Sequence, residues 1–410
     1  ADGAEGRCQR LASHRWGRAA APAPALSGRR CGWPAGRRCR SIGFAADGGG
    51  FGARRPPPSA APSAPLPPSS STTSSSPGRP LRSPWLVVGM TSLPSRLPGI
   101  VPALCSVAAQ DRRPDRLVLS LPRTSRREGR GYELPAALLE VLREHPWMEV
   151  HWMEEDFGPG TKILGALGWL ATHASPCSDD VLMVLDDDHE YSPHALGDLL
   201  HAQSAQGQEH VSTYFAYFFR GMMVPQGADI IAVPLGEGLV EKLPAYHRAF
   251  VAADRDCFLV DDLWIGMFFF MCGRSVTSCR DMLTARGLQV IYRRTSNASV
   301  AALEALGGDD RRDRVMLRAF GALAGRLLAA GPGGLGAWGG EHAWRRMQRL
   351  HQEVQQVEAR IEQLAAWTSQ QQRCSPASSS SQEVVGRAAA ELAKLRHLYQ
   401  MQAPPPSSAE

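Results

Sequence analysis

The chain has 410 residues, of which 43% are hydrophobic and 21% charged, enough to bury a sizeable core. Its formal charge of +5 is unevenly spread: residues 1–84 hold 13 Arg, no Lys and 3 acids, whereas residues 85–410 hold 32 basic against 37 acidic residues. A mildly acidic main part argues against nucleic acid as a partner, and with no run of about 18 apolar residues no membrane span is written in the sequence.

Residues 1–53 are rich in Arg and Ala and nearly free of acids, the bias of a targeting segment. Together with Asn297-Ala298-Ser299, an N-glycosylation acceptor, they point to an organelle or to the secretory pathway and the Golgi lumen, and leave the choice open. The chain starts with Ala, which leaves room for an upstream signal or anchor. Residues 54–84 are dominated by Pro, Ser, Ala and Thr; such a stretch buries no core and reads as a disordered linker.

From Trp85 the pattern changes. An apolar strand over Trp85–Met90 is followed by the turn Thr91–Arg96, a helix over Ile100–Ala109 and a strand over Arg116–Leu121. A helix over Pro135–Glu144, a strand over Met148–Met153 and a helix over Thr161–Thr172 lead to the strand that ends at Asp186. Strands alternating with helices in this way predict βαβ units, hence an α/β, Rossmann-like fold with a mainly parallel sheet flanked by helices. In such sheets ligands bind beyond the carboxyl ends of the strands.

The acidic strand end carries most of the chemistry. Five apolar residues, Val181–Leu185, run straight into Asp186, Asp187 and Asp188. Adjacent carboxylates repel and raise each other's pKa, so a cation is needed to keep them ionised together. Mg²⁺ or Mn²⁺ is the natural partner, and it usually keeps coordination positions open for substrate phosphates. The competing reading is a solvated acidic turn before the next helix, with Ser192 as N-cap and Pro193 as the first residue ahead of Ala195–Leu200. His189 is either a further metal ligand or a solvated turn histidine.

Two more clusters accompany it. Glu155 and Asp156 precede Gly158-Pro159-Gly160-Thr161-Lys162, a tight turn with a lysine at a helix start, where backbone N–H groups and the positive charge suit a pyrophosphate. Arg96, after the first strand, adds a guanidinium for the same nucleotide. Downstream, Asp261 and Asp262 sit inside the apolar run Cys257–Gly266. Buried acids there serve either as a general base for an incoming hydroxyl or as a helix cap.

In this order, Thr91–Arg96, Glu155–Lys162, Asp186–Asp188 and Val260–Trp264 resemble the GT-A class of nucleotide-sugar glycosyltransferases, especially family-2-like members, over residues 85–295. The resemblance implies a GT-A domain at 85–330 and a sugar nucleotide whose diphosphate is held through Mn²⁺ or Mg²⁺ on Asp188 and Asp186. It further implies nucleotide contacts from Asp156 and Lys162, with Arg96 beside them, and an acceptor hydroxyl deprotonated by Asp262, next to Asp261, as in inverting members. The acceptor would be a glycan, protein or lipid hydroxyl. Two departures matter: Ser120-Leu121-Pro122 stands where an aspartate for the base is often found, and no Q-x-x-R-W segment follows Asp262. The second points to a non-processive enzyme. The alternatives are a non-catalytic scaffold of the same fold, and a phosphotransferase of the haloacid dehalogenase type. The latter expects Thr or Val where Glu190 stands, and usually carries its motif on the first strand.

Tyr214, Tyr217 and Arg220 are expected toward the acceptor side. In the tail, 341–402, Met347, Leu350, Val354, Val357, Ile361 and Leu364 alternate three- and four-residue steps, and Val385, Ala388, Leu392, Leu395 and Tyr399 repeat the pattern. Such helical, coiled-coil-like segments pair as a hairpin, self-associate or pack back on the domain. Nine cysteines form no C-x-x-C pair, so neither a zinc site nor a disulfide scaffold is expected. Cys257, Cys272 and Cys279 either bridge or act as small buried apolar residues.

Overall fold

Every residue of the strands at Leu86–Met90 and Val181–Val184 is buried, the behaviour of central strands covered on both faces. The computed structural model describes residues 84–174, 177–225, 231–236, 238–280, 292–294, 309–374 and 386–388. The basic segment, the Pro/Ser-rich linker, the Asn297 acceptor and most of the second heptad run lie outside the described residues.

The strands are β1 (Leu86–Met90), β2 (Arg116–Pro122), β3 (Thr124–Ser125), β4 (Arg130–Gly131), β5 (Met148–Met153), β6 (Val181–Val184) and β7 (His189–Tyr191). They continue with β8 (His210–Thr213), β9 (Ala216–Phe219), β10 (Met222–Pro225), β11 (Ile231–Pro234), β12 (Ser275–Ser278) and β13 (Tyr292–Arg294). The helices are α1 (Val101–Ala108), α2 (Ala136–Glu144), α3 (Thr161–His173), α4 (Ala195–Gln206), α5 (Leu239–Tyr246), α6 (Asp261–Cys272), α7 (Asp309–Gly334) and α8 (Gly340–Cys374).

Seven strands form one sheet in the order β12-β8-β11-β6-β1-β2-β5. β11 is antiparallel to both neighbours and the other pairings are parallel, so the expected α/β, mainly parallel architecture is what the chain adopts. The chain moves outward from β1 to β2 to β5 and then returns to β6 on the opposite side of β1. That reversal opens a crevice between the carboxyl ends of β1 and β6. Thr91–Arg96 leaves β1, and Asp186–Asp188 leaves β6, at this crevice.

Helix α3 rides directly on β1, and the close approach depends on Gly89. A Cβ there would lie 2.3 Å from the Lys162 carbonyl oxygen and 2.9 Å from Ala166 Cβ. Gly89→Ala is therefore expected to destabilise the fold by about 2 to 3 kcal/mol, since neither backbone nor helix has room to yield. A urea midpoint unchanged from wild type would show that α3 is free to lift away.

The two sheet faces carry separate cores. α1, α2 and α4 cover one, with Leu104, Leu138 and Leu199 buried there. α3, α5, α6, α7 and α8 cover the other, where Ile163, Trp264, Phe320 and Met347 meet. α8 extends over 35 residues, and its seam positions Met347, Leu350 and Val354 are buried in that same core. The tight turn between β9 and β10, where Arg220 takes φ +48°, presents Arg220 to Glu358 of α8. This part of the seam therefore packs back onto the domain.

One local expectation changes and one open alternative is decided. α4 starts at Ala195 after His194 with no side-chain cap, so Ser192 and Pro193 precede the helix rather than begin it. Cys257, Cys272 and Cys279 are free; burial pushes the Cys257 thiol up to about 12 and the Cys272 thiol to about 11, as fits small apolar residues. Among the described residues no helix is long and apolar enough to cross a membrane.

A candidate metal and donor site at the strand ends

The end of β6 is fixed by Tyr191, which is 1% exposed. Its hydroxyl accepts from the Asp186 backbone N–H at 2.9 Å and donates to the Asp186 carbonyl at 3.1 Å. With the backbone held, the three following carboxylates separate. Asp186 meets Lys162, with Oδ1 2.7 Å from Nζ. Asp187 accepts from Ser92 Oγ and from Arg96 Nη1, the latter at 2.9 Å. Asp188 lies between Arg96 Nη2 at 3.0 Å and His189 Nδ1 at 2.7 Å.

These cations come from two other elements. Ser92 and Arg96 belong to the turn after β1, and Lys162 to the first turn of α3, where it is 4% exposed. The same ammonium reaches Asp261 Oδ2 at 3.3 Å, at the start of α6. Asp261 and Asp262 are both buried. Of the residues expected from the sequence, Arg96, Lys162, Asp186, Asp188 and Asp261 thus meet in one network, and Asp262 adds its charge to the field at Lys162.

The electrostatics follow from burial. Burial drives the Asp186 carboxyl up, opposed by Lys162 and reinforced by Asp188. Burial likewise pushes Asp187 up to about 6, against the pull of Arg96. At Lys162 burial disfavours the charge, but Asp186 and Asp261 outweigh it and hold the ammonium well above its usual range. Arg96 behaves alike, with Asp187 and Asp188 overriding its burial. Five acids, Asp186, Asp187, Asp188, Asp261 and Asp262, thus face Arg96 and Lys162, with Arg127 close enough to act on Arg96. The carboxylates outnumber the cations, which leaves room for positive charge.

One oxygen each from Asp186 and Asp188 and one nitrogen from His189 lie within 4.8 Å of one another. Two hard oxygens and an imidazole form a donor set for a divalent metal ion. Among the described residues no other group of three such side chains is placed this way.

Asp156 has a different geometry from a freely presented ligand. Its oxygens accept from the backbone N–H groups of Arg126 and Gly158, both at 2.7 Å. It thereby ties the β3–β4 hairpin to the turn before α3. That turn needs Gly158, at φ +61°, where a Cβ would lie 2.4 Å from the Phe258 carbonyl oxygen. The hairpin also closes over Thr91–Arg96: Glu128 accepts from Ser95, and the Tyr132 hydroxyl donates to the Ser92 carbonyl at 2.9 Å.

The sequence did not reveal this hairpin, nor Ser92 and Tyr191 as members of the network, nor the pairing of Asp187 with Arg96. Strands of two residues show no periodicity, and the one legible signal was the density of arginine between Arg123 and Arg130. Of the residues expected toward the acceptor side, Tyr214 is buried and Arg220 is engaged with α8.

No protein-family profile matches the chain, and no curated protein matches it. Among solved structures, the mannosyltransferase PcManGT from Pyrobaculum calidifontis in complex with GDP-Man and Mn²⁺ aligns over 79% of this chain and 89% of its own, at 13% identity and a TM-score of 0.40. A 4-diphosphocytidyl-2C-methyl-D-erythritol synthase aligns over 43% of this chain and 81% of its own, at 12% identity and a TM-score of 0.28. Both overlaps are too loose to carry an argument about activity.

Proposed function

We propose that this protein is a metal-dependent, non-processive glycosyltransferase that moves a sugar from a nucleotide-diphosphate donor to an acceptor hydroxyl. The observation that carries the reading is the convergence of the Asp186, Asp188 and His189 donor atoms within 4.8 Å, at the crevice where β1 and β6 part. Bound at Asp188 and Asp186, Mn²⁺ or Mg²⁺ would neutralise charge on the departing diphosphate.

The remaining steps belong to the chain. Arg96 and Lys162 border the acids and supply positive charge for the nucleotide's phosphates, while Ser92 and Asp187 orient Arg96. Asp156 serves the nucleotide side by fixing the hairpin and the start of α3. Asp262, with Asp261 beside it, takes the proton from the acceptor hydroxyl, and attack on the anomeric carbon from that side inverts its configuration. Lys162 holds Asp261 and thereby links the base side of the site to the donor side. Self-association through 341–402 would have to use positions beyond Val354, since Met347, Leu350 and Val354 are already packed against the domain.

The test is release of nucleoside diphosphate from a panel of UDP- and GDP-sugars by the full chain, with Mn²⁺ or with EDTA. One donor should be consumed with Mn²⁺ and spared with EDTA. No release from any donor, together with no calorimetric binding, would move the reading to the non-catalytic scaffold.

A further inference from the structure

Strands of two residues each are too short to hold a hairpin by themselves, and β3–β4 is fixed by side chains at three points. Asp156 accepts from the Arg126 N–H at 2.7 Å. Glu128 accepts from the Ser95 N–H at 3.1 Å and from the Ser95 hydroxyl, while Arg130 Nε donates to the same carboxylate at 2.9 Å. The Tyr132 hydroxyl reaches the Ser92 carbonyl at 2.9 Å. Ser92 and Ser95 lie in the turn that carries Arg96, so the hairpin is clamped against that turn, with Arg127 between the two tied residues Arg126 and Glu128.

Three of the four hairpin arginines are engaged at the surface. Arg123 lies over the Trp152 ring, 5.4 Å from its centroid, Arg126 lies over Phe258 at 4.4 Å, and Arg130 holds Glu128. Arg127 differs: it is partly buried, and the charges that act on it belong to Arg96, Glu128 and Asp187. Burial first, and then the Arg96 guanidinium, disfavour its charge. The clamped hairpin therefore holds one guanidinium within reach of another, and an anion between them relieves the repulsion. Arg96 already spends Nη1 and Nη2 on Asp187 and Asp188, which offsets the charge it has for a ligand. The edge is open to solvent, since the side chains of Asp186, Arg96 and Asp188 keep 22%, 14% and 13% exposure and Arg127 is itself partly exposed.

A planar guanidinium matches the paired oxygens of a phosphate. A carboxylate ligand would bring a single charge to a site where acids are already in excess. A diphosphate carries enough charge to address both a cation at Asp186 and Asp188 and an arginine beside them.

We infer that Arg127 is a donor-binding residue, held by the β3–β4 hairpin at the edge of the acid site to grip one phosphate of a diphosphate. That the diphosphate is a sugar donor's rests on the transferase reading; its binding beside Arg96 does not.

The test is calorimetric titration of the full chain with inorganic pyrophosphate in the presence of Mg²⁺, alongside a thermal melt of every variant. Pyrophosphate should bind, and Arg127→Gln, which keeps length and loses charge, should weaken it about tenfold. Arg127→Lys, which keeps the charge and loses the fork, should weaken it about threefold. Arg123→Ala, which removes an exposed charge from the same hairpin, should leave it unchanged. Absence of binding by folded protein overturns the assignment, as does an affinity unaltered in Arg127→Gln, or an equal loss in Arg123→Ala, which would reduce the effect to diffuse charge. If Arg127→Gln does not fold, Arg127→Lys decides, and an affinity equal to wild type in that variant overturns the assignment. Arg127-dependent pyrophosphate binding by a protein that turns over no nucleotide sugar would sustain the phosphate site and remove the transferase.

Discussion

Asp188→Ala is expected to lower Mn²⁺-dependent consumption of the donor about a thousandfold while leaving the fold nearly intact. Asp188 offers one of the three clustered donor atoms, so its loss breaks the candidate metal site directly. Its neighbours are less dependent on it. Arg96 retains Asp187 at 2.9 Å, and Asp186 retains Lys162 at 2.7 Å, so no buried ion is stranded. The measurement pairs donor turnover at saturating Mn²⁺ with a thermal melt of the same sample. A variant that melts like wild type and still turns over like wild type would remove Asp188 from the metal site. A variant that simply unfolds would show instead that Asp188 holds Arg96 and β1 in place.

Lys162→Met is expected to destabilise the protein by about 3 to 5 kcal/mol, because it strips the cation from the buried Asp261 and the largely shielded Asp186 at once. Lys162 Nζ lies 2.7 Å from Asp186 and 3.3 Å from Asp261, and all three side chains are largely shielded from water. Removing one partner of a buried pair leaves the full desolvation cost of the others. The double variant Lys162→Met/Asp261→Asn should recover much of the loss, since it removes one stranded charge. Added Mn²⁺ should recover part of it in the single variant, because the ion binds the folded state alone. Urea denaturation of both variants, with and without Mn²⁺, separates these terms. A Lys162→Met protein as stable as wild type would mean that water already screens these acids.

The chemistry proposed for this site depends on which cation faces which acid, and that pairing was only partly legible in the sequence. The glycine turn before α3 and the guanidinium after β1 were visible as positive groups near a nucleotide. Their engagement with the acids themselves was not, because Arg96 and Asp187 are 91 residues apart and meet only when β1 and β6 become neighbours. Asp156 shows the same limit. Its type and position suit a nucleotide contact, yet its oxygens are taken up by the N–H groups of Arg126 and Gly158, the first of which is brought in by a hairpin with no periodic signal.

What the sequence determined by itself is local. Hydrophobic runs and turn residues set the strand at Met148–Met153 and the helices near Val101, Ala136 and Thr161, because pleat and helix period are properties of short segments. The acids at the end of an apolar strand were equally plain, since burying that strand forces its polar end to the sheet's edge. Only the tertiary structure decided the reversal of β11, the closure of the β3–β4 hairpin and the return of α8 onto the domain. It also set the direction of each carboxylate, through the Tyr191 hydroxyl on the Asp186 backbone and the bare Gly89 beneath α3. These are contacts between segments distant in sequence, and their geometry is fixed by packing rather than by the period of any one segment.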